Sequence, residues 1–478
     1  MPRYRTAEHR LFQAEGRDFL FLCAENAVFE VDGEMRSILE RCASPSGRTR
    51  EEILGLLDGP FEEREEELRD LLQCRLLAPA ASDAPSSPRN ASPKEIPVKT
   101  LVLHVTDDCN LACDYCYRAN GSEGAKAATM TEETARKAVD FLFEGSGGLD
   151  EVVLVLFGGE PLLNMGALEA AVARGRLGSE ETGKKLSLAM TTNGTLFSEK
   201  TVDFIRENRI GVTVSVDGEP ETHDRCRRFP GGAPSYGAVA RGLRRLLRDS
   251  MEKPVVARAT VTRQVPDLSR SLHHLLDLGL AEAGFAPVTS GDPAYRLDEE
   301  DMTRLLEQFQ QLSQEFVRTA LDGGFLGFTN LVDLLVSLHE GEVKTHACGA
   351  GLGLFSVDPR GALYLCQRLT GEACARMGSL REGLDLAKVE AFRGEAALER
   401  RGECKECWAR TLCAGGCYHE ALVRQEGLTR PNSHYCRWIQ DWIRTGLEVY
   451  GRLAVRDPEY LDRLSLLRGH QPTIPSIL

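Results

Sequence analysis

Residues 101–117 read Leu-Val-Leu-His-Val-Thr-Asp-Asp-Cys-Asn-Leu-Ala-Cys-Asp-Tyr-Cys-Tyr. A short apolar run of this kind predicts a buried strand, and it empties into a loop with cysteines at 109, 113 and 116. Three thiols on one loop are one short of a closed metal site. Structural zinc takes four ligands from two pairs, and ferredoxin-type runs also supply a fourth cysteine. Three sulfurs suit a cubane iron–sulfur cluster that keeps one iron for a small molecule; zinc or a disulfide is the bland alternative. The chain has fifteen cysteines. Its first residues, Met1-Pro-Arg-Tyr-Arg, lack the apolar core of a signal peptide, and no run of 18 apolar residues occurs. A soluble, cytoplasmic protein is expected, and in a reducing cytosol so many cysteines point to metal or cluster ligation.

The chain alternates short apolar strands with amphipathic helices from residue 98 onward. Strands are expected at Thr100–Val105, Val152–Phe157, Leu186–Thr192, Val212–Val216, Val255–Thr262 and Ala283–Val288. Helices fit between them at Glu132–Phe143, Ala167–Leu177, Ser198–Asn208, Tyr236–Arg248 and Leu268–Leu278. Such alternation implies an α/β fold of parallel strands with right-handed crossovers. Six units make a partial TIM-like (β/α)6 barrel over 98–297, with chemistry at the C-terminal strand ends.

Residues 1–77 read as a small antiparallel sheet followed by helices at Gly33–Arg41, Thr49–Leu57 and Phe61–Cys74, an α+β domain. Residues 78–97, rich in Pro, Ser and Ala, form a linker that cannot bury a core. A helical bridge is expected over 298–345, a cysteine-rich domain over 346–436 with eight cysteines in 91 residues, and terminal helices over 437–478. Lys plus Arg number 58 against 72 Asp plus Glu, a net charge of −14. That balance argues against nucleic acid and against an anionic membrane surface.

Three further constellations end strands. Phe157-Gly158-Gly159-Glu160-Pro161 offers two glycines for close approach of backbone to a ligand and a carboxylate to pair with an ammonium group. Thr191-Thr192-Asn193-Gly194-Thr195 and Ser215-Val216-Asp217-Gly218 offer hydroxyl, amide and carboxylate groups, which also build ordinary turns. Later come Cys348, Gly361 and Cys366, then Cys404-x2-Cys407-x5-Cys413-x3-Cys417, and Cys436.

The Cys109/Cys113/Cys116 loop with Tyr115 before the third cysteine, followed by Gly158-Gly159-Glu160, resembles the radical S-adenosylmethionine (SAM) enzymes. The later seven-cysteine array is similar to the SPASM domain, which houses two auxiliary four-iron clusters. The resemblance implies a SAM-binding [4Fe-4S] cluster on Cys109, Cys113 and Cys116 and a SAM shell of Tyr115, Gly158, Gly159, Glu160, Asn193, Ser215 and Asp217. No catalytic residue is implied beyond that cluster. His223-Asp224-Arg225 and Arg228, after Asp217-Gly218, look like this family's strand-four loop, whose basic residues would meet SAM or substrate. One closed auxiliary cluster would use Cys404, Cys407, Cys413 and Cys436; a second would use Cys348, Cys366 and Cys417. Glu342 stands where related domains carry an eighth cysteine, which leaves an open iron unless Cys374 or His346 closes it. Cys23, Cys42, Cys74 and Cys226 are assigned no role.

The N-terminal domain resembles the winged-helix-like, leader-recognising domains of enzymes that modify ribosomal peptides, or is a structural cap. The motifs around Cys348, Cys366 and Cys407–Glu420 look like the peptide-thioether-forming maturases. Two groups come to mind, those acting on peptides with six cysteines in forty-five residues and those maturing the small subunit of quinohemoprotein amine dehydrogenase. Tyr418-His419-Glu420 and the tail after Cys436 look closer to the second. The implied activity is thioether crosslinking of a cysteine-containing peptide or small subunit after hydrogen abstraction by a 5′-deoxyadenosyl radical. The implied electron donor is a flavodoxin or ferredoxin. An anaerobic sulfatase maturase, forming formylglycine, shares the core and array, and a non-catalytic zinc-binding interaction protein is the alternative from another class.

Overall fold

The computed structural model describes residues 2–80, 96–117, 127–263 and 265–469. The linker expected at 78–97 falls over 81–95, and the end of the terminal helices over 470–478, outside the described residues.

The N-terminal part carries strands β1 (Arg3–Thr6), β2 (His9–Ala14), β3 (Arg17–Leu22) and β4 (Ala27–Val31), then α1 (Gly33–Arg41), β5 (Arg48–Thr49), α2 (Arg50–Leu54), α3 (Phe61–Gln73) and β6 (Leu77–Pro79). Asp32 caps α1 by accepting from Met35 N, and Thr49 with Glu52 forms a capping box on α2. β2, β3 and β4 make an antiparallel sheet; β1 sits between β5 and β6 in a second one, which the sequence did not foretell. The alternation of β3 serves two cores. Leu20 and Leu22 pack with Ile38, Ile53 and Leu68 of the three helices, whereas Phe21, and Cys23 just beyond, join the main core.

Six parallel strands follow: β7 (Thr100–His104), β8 (Glu151–Phe157), β9 (Lys185–Thr192), β10 (Gly211–Ser215), β11 (Val256–Val261) and β12 (Glu282–Pro287). Their neighbours pair in chain order, with Leu101 opposite Leu154 and Val155 opposite Ala189. Helices α4 (Glu132–Gly145), α5 (Met165–Thr182), α6 (Glu199–Glu207), α8 (Tyr236–Leu246) and α9 (Leu268–Asp277) cover the convex face. A further short helix, α7 (Pro220–Cys226), occupies the strand-four loop before α8. Thr131, Asn164, Ser198 and Asp267 cap α4, α5, α6 and α9. Leu101, Leu103, Leu154, Leu156, Val212, Val214 and Ala257 face those helices in the main core. Val102, Val155 and Ala189 form a thin apolar layer on the concave side. That side lines a cavity of about 1290 Å³ reaching from Lys99, Glu151 and Lys185 at the strand starts to Phe157 and Thr191 at their ends.

The barrel sheet does not stop at β7. β13 (Leu354–Val357) pairs parallel with β7, Phe355 opposite Leu101, and β14 (Ala362–Tyr364), β15 (Arg376–Ser379) and β16 (Gly383–Leu384) continue antiparallel into one ten-stranded sheet. The cysteine-rich segment thus grows directly from the barrel edge. The opposite edge is covered by α10 (Glu299–Leu321) and α11 (Thr329–His339). There Asn330 Oδ1 accepts from Phe285 N at 2.8 Å and its Nδ2 donates to Phe285 O at 2.9 Å, which satisfies backbone groups of the edge strand. Helices α12 (Leu386–Ala396), α13 (Arg410–Cys413), α14 (Tyr418–Gln425), α15 (Cys436–Arg456) and α16 (Glu459–Gly469) complete the chain. Among the described residues no helix is long and apolar enough to cross a membrane.

Candidate functional site

The ends of β7, β8 and β9 meet. Past β7 the chain runs through the loop of Cys109, Cys113 and Cys116, which lies directly against the Gly158-Gly159-Glu160 loop after β8. Gly159 N donates to Thr106 O and Glu160 N to Asp108 O, both at 2.8 Å. A β-carbon on Gly159 would lie 2.1 Å from Asp108 O, and one on Gly158 2.7 Å from Thr106 O. Gly158 also has φ +158, which disfavours other residues. The two glycines therefore admit the backbone of the cysteine loop itself, and not only a ligand as the sequence reading had it.

Glu160 is completely buried. Its carboxylate accepts from Thr192 Oγ1 at 2.7 Å, Asn193 N at 2.7 Å and Leu162 N at 3.2 Å, which ties the end of β8 to the end of β9. Burial raises its pKa, and these donors act against the rise. Asn193 continues the chain of contacts. Its Nδ2 donates to Asn110 Oδ1 at 2.8 Å and to Cys109 Sγ at 3.8 Å, while its Oδ1 accepts from Thr195 N at 2.9 Å.

The fourth strand enters through Asp217. Its Oδ2 accepts from Tyr115 Oη at 2.6 Å and its Oδ1 from Thr260 N at 3.0 Å. Ser215, two residues earlier at the end of β10, is half-buried. Arg227 Nη1 donates to Tyr115 Oη at 2.8 Å, with its guanidinium over the ring. Burial works against the Arg227 charge, but Tyr115, Cys113 and Asp217 together outweigh it and hold the guanidinium protonated. Arg227 was not singled out from the sequence; the neighbouring His223, Asp224, Arg225 and Arg228 were. Of these, Arg228 pairs with Asp114 of the cysteine loop at 2.7 Å and Asp224 accepts from Ser235 N and Tyr236 N at 2.8 Å, fixing the start of α8. His223 is buried, its Nδ1 accepting from Asp217 N at 3.4 Å and its Nε2 lying 3.0 Å from Ser235 Oγ. Burial, with the Arg227 charge, pushes it down to about 3, so the ring is neutral.

Cys404, Cys407, Cys413 and Cys436 all line one cavity of about 190 Å³, and Cys417 borders it too. Cys417 also stands near Cys348 and Cys366, whose thiols it affects electrostatically. Burial pushes the thiols of Cys113, Cys348 and Cys413 up to about 11 and that of Cys366 to about 12. Such sulfurs become thiolates only when a metal cation replaces the proton. Among the described residues no three Cys, His, Asp or Glu converge as a single ion requires. Cys404, Cys407, Cys413, Cys417 and Cys436 border a cavity instead. His346 is engaged at both nitrogens, by Thr345 Oγ1 and Arg393 O at 3.0 Å, and Cys374 is exposed. Cys23, Cys42 and Cys226 are buried. Arg401 packs against Gly415, which lines that cavity, and its guanidinium donates to Thr429 O, Ala414 O and Arg430 O at 2.9, 2.6 and 3.0 Å.

Residues 103–269 match the Radical SAM superfamily model, so the chain carries a radical SAM domain. A serine-type anaerobic sulfatase-maturating enzyme of Klebsiella aerogenes is 25% identical over 371 residues, covering 74% of this chain and 87% of that protein. The structure of native anSMEcpe with bound AdoMet superposes with a TM-score of 0.63 at 20% identity, over 77% of this chain and 99% of that one. Streptococcus suis SuiB bound to precursor peptide SuiA gives 0.52 at 12% identity, over 91% of this chain and 100% of that one.

Proposed function

We propose that this chain is a radical SAM maturase that oxidises a side chain of a peptide or protein substrate. One observation carries the reading: the three-cysteine loop, the Gly158-Gly159-Glu160 loop and Asn193 lock together at the C-terminal ends of adjacent parallel strands. Cys109, Cys113 and Cys116 would hold the SAM cluster, with Tyr115, Gly158, Gly159, Glu160, Asn193, Ser215 and Asp217 around SAM. Cys404, Cys407, Cys413 and Cys436 would hold one auxiliary cluster, and Cys348, Cys366 and Cys417 another. When bound, the first cluster and SAM supply a 5′-deoxyadenosyl radical that removes hydrogen from an unactivated carbon.

The residues here do the rest. Glu160 and Asn193 fix the cysteine loop against two strand ends before any ligand arrives, so that reacting groups meet in a set geometry. The buried Tyr115–Asp217–Arg227 triad holds the loop's other side. The cavity along the inner face of the sheet reaches Phe157 and Thr191, which adjoin the Gly158–Glu160 and Asn193 loops, and would admit the substrate from that side. A flavodoxin or ferredoxin would supply the electron.

The finer reaction has two readings. The named relatives favour formylglycine formation on a serine or cysteine of a protein substrate, as in the anaerobic sulfatase-maturating enzymes. Thioether formation on a leader-bearing peptide is the second reading; the likeness to SuiB, which was seen bound to a precursor peptide and covers 91% of this chain against 77%, supports a peptide substrate. The reactions differ by thiol count, and for a cysteine converted to formylglycine also by mass, because oxygen then replaces sulfur. Formylglycine made from serine loses two hydrogens and leaves every thiol free to alkylate. A thioether crosslink loses two hydrogens and one alkylatable thiol. Anaerobically reconstituted protein with reductant, SAM and peptides of each kind distinguishes them, and Cys113→Ala should end 5′-deoxyadenosine release. Release persisting in that variant refutes the assignment of the loop.

A further inference from the structure

Helix α15 brings more than one cysteine to the four-cysteine cavity. It begins at Cys436, and one turn later Gln440 returns to the same side of the helix. Gln440 Nε2 donates to Cys407 Sγ at 3.5 Å. Gln440 and Trp438 both line the cavity that Cys404, Cys407, Cys413 and Cys436 border. Trp438 is 8% exposed, edge-on to Phe309 and stacked with Trp442. Its Nε1 is buried and has no acceptor among the described residues.

Both groups are uncharged N–H donors at a wall of sulfur. A protonated thiol is a weak acceptor, and an indole N–H kept from water without a partner costs free energy. Sulfur that carries negative charge accepts such donors well. The orphaned Trp438 N–H and the amide already on Cys407 therefore fit a bound group rich in thiolate and sulfide, which an iron–sulfur cluster on these cysteines would present. The reduction potential of such a cluster follows its net charge, its exposure and the hydrogen bonds to its sulfurs. Reduction adds negative charge, and each N–H aimed at sulfur offsets some of it. Donors at this wall thus favour the reduced form.

We propose that Gln440 and Trp438 donate their N–H groups to sulfurs of the cluster bound by Cys404, Cys407, Cys413 and Cys436, and so raise its reduction potential. They act through the cysteines' cluster as positioning residues and are not ligands. This rests on the maturase reading, which puts a cluster on these four cysteines, and adds to it two residues from outside the cysteine array.

The test is a redox titration of the full chain, reconstituted without oxygen and followed by electron paramagnetic resonance. The signal of this cluster is the one that Cys404→Ala removes. Gln440→Leu, similar in volume but without the N–H, should lower its midpoint by about 59 mV, a tenfold fall in the one-electron reduction constant. Trp438→Phe keeps a ring beside Phe309 and Trp442 and should lower it by a similar amount. Gln440→Lys, which restores a donor, should return the midpoint to the wild-type value or above. The other signals should keep their constants within twofold. Isotopic labelling of the Gln side-chain nitrogen, or of the Trp indole nitrogen, should give a hyperfine coupling to the reduced cluster in the wild type, a readout that does not depend on how well a variant folds. A constant within twofold of wild type in either Gln440→Leu or Trp438→Phe overturns the proposal; for Trp438 it would mean that a water passes its N–H to the unpaired Asn432 Oδ1. Absence of either coupling in the wild type also overturns it. Iron content unchanged by Cys404→Ala would instead refute the cluster itself, and the proposal with it, so the two failures are told apart.

Discussion

Gly159→Ala tests whether the cysteine loop is held by loop-to-loop contact. The added methyl would sit 2.1 Å from Asp108 O and 2.7 Å from Asp107 O, against an ordinary contact of 3.4–4 Å. The loops must part by more than an ångström, which breaks the Gly159 N–Thr106 O and Glu160 N–Asp108 O bonds, both 2.8 Å. Two backbone hydrogen bonds contribute about 1 kcal/mol each, and overpacking adds roughly 1–3 kcal/mol. The local loss is then about 3–5 kcal/mol, or a two- to four-decade rise in loop opening. Native-state hydrogen exchange at amides 106–116 should report it, along with loss of iron from the first cysteine group while the C-terminal groups keep theirs. Gly148→Ala is the control, since its β-carbon meets nothing within 4 Å. Wild-type protection and iron content in Gly159→Ala would refute the reasoning.

Other perturbations separate the remaining parts. Arg401→Lys keeps the charge but can serve one of three carbonyls, so it should loosen the segment around the four-cysteine cavity by about 3–6 kcal/mol; chelator-driven iron release should accelerate from that group alone. Asn330→Ala leaves Phe285 N and O without partners and should cost about 2–4 kcal/mol; faster exchange at Phe285 with the rest of β12 unchanged would show it. His223 is held near 3 against an ordinary 6.5, so the folded protein binds fewer protons than the unfolded one between those values. Its stabilisation is whole above pH 6.5 and lost as pH falls toward 3, about 2 kcal/mol by pH 5. His223→Gln should show a correspondingly flatter denaturant midpoint between pH 7.5 and 5, and an unchanged slope would sink that account.

The six barrel strands were legible because short apolar runs alternate with amphipathic helices, and observed ends fall within a residue of those expected. The extension of the sheet was not. β13 is four residues long and is a strand because it pairs with β7 more than 250 positions away, and the three-residue β14 in turn pairs with β13 and β15. The second N-terminal sheet escaped for the same reason, with strands of four, two and three residues. At the site, residue types at strand ends could be read, but not their partners. Gly158 and Gly159 pointed to close approach without saying to what. Among Arg225, Arg227 and Arg228, only the fold reveals that Arg227 is the buried one.

The alternation of β3 reaches beyond packing. Because Leu20 and Leu22 look one way while Phe21 looks the other, severing the first eighty residues would not release a trimmed catalytic fragment. It would strip a wall from the larger piece, near the point where Thr411 Oγ1 donates to Cys23 O at 2.8 Å. The amino-terminal unit is thus a shared partition, and any force applied to it is felt one residue from Leu412 and two from Cys413.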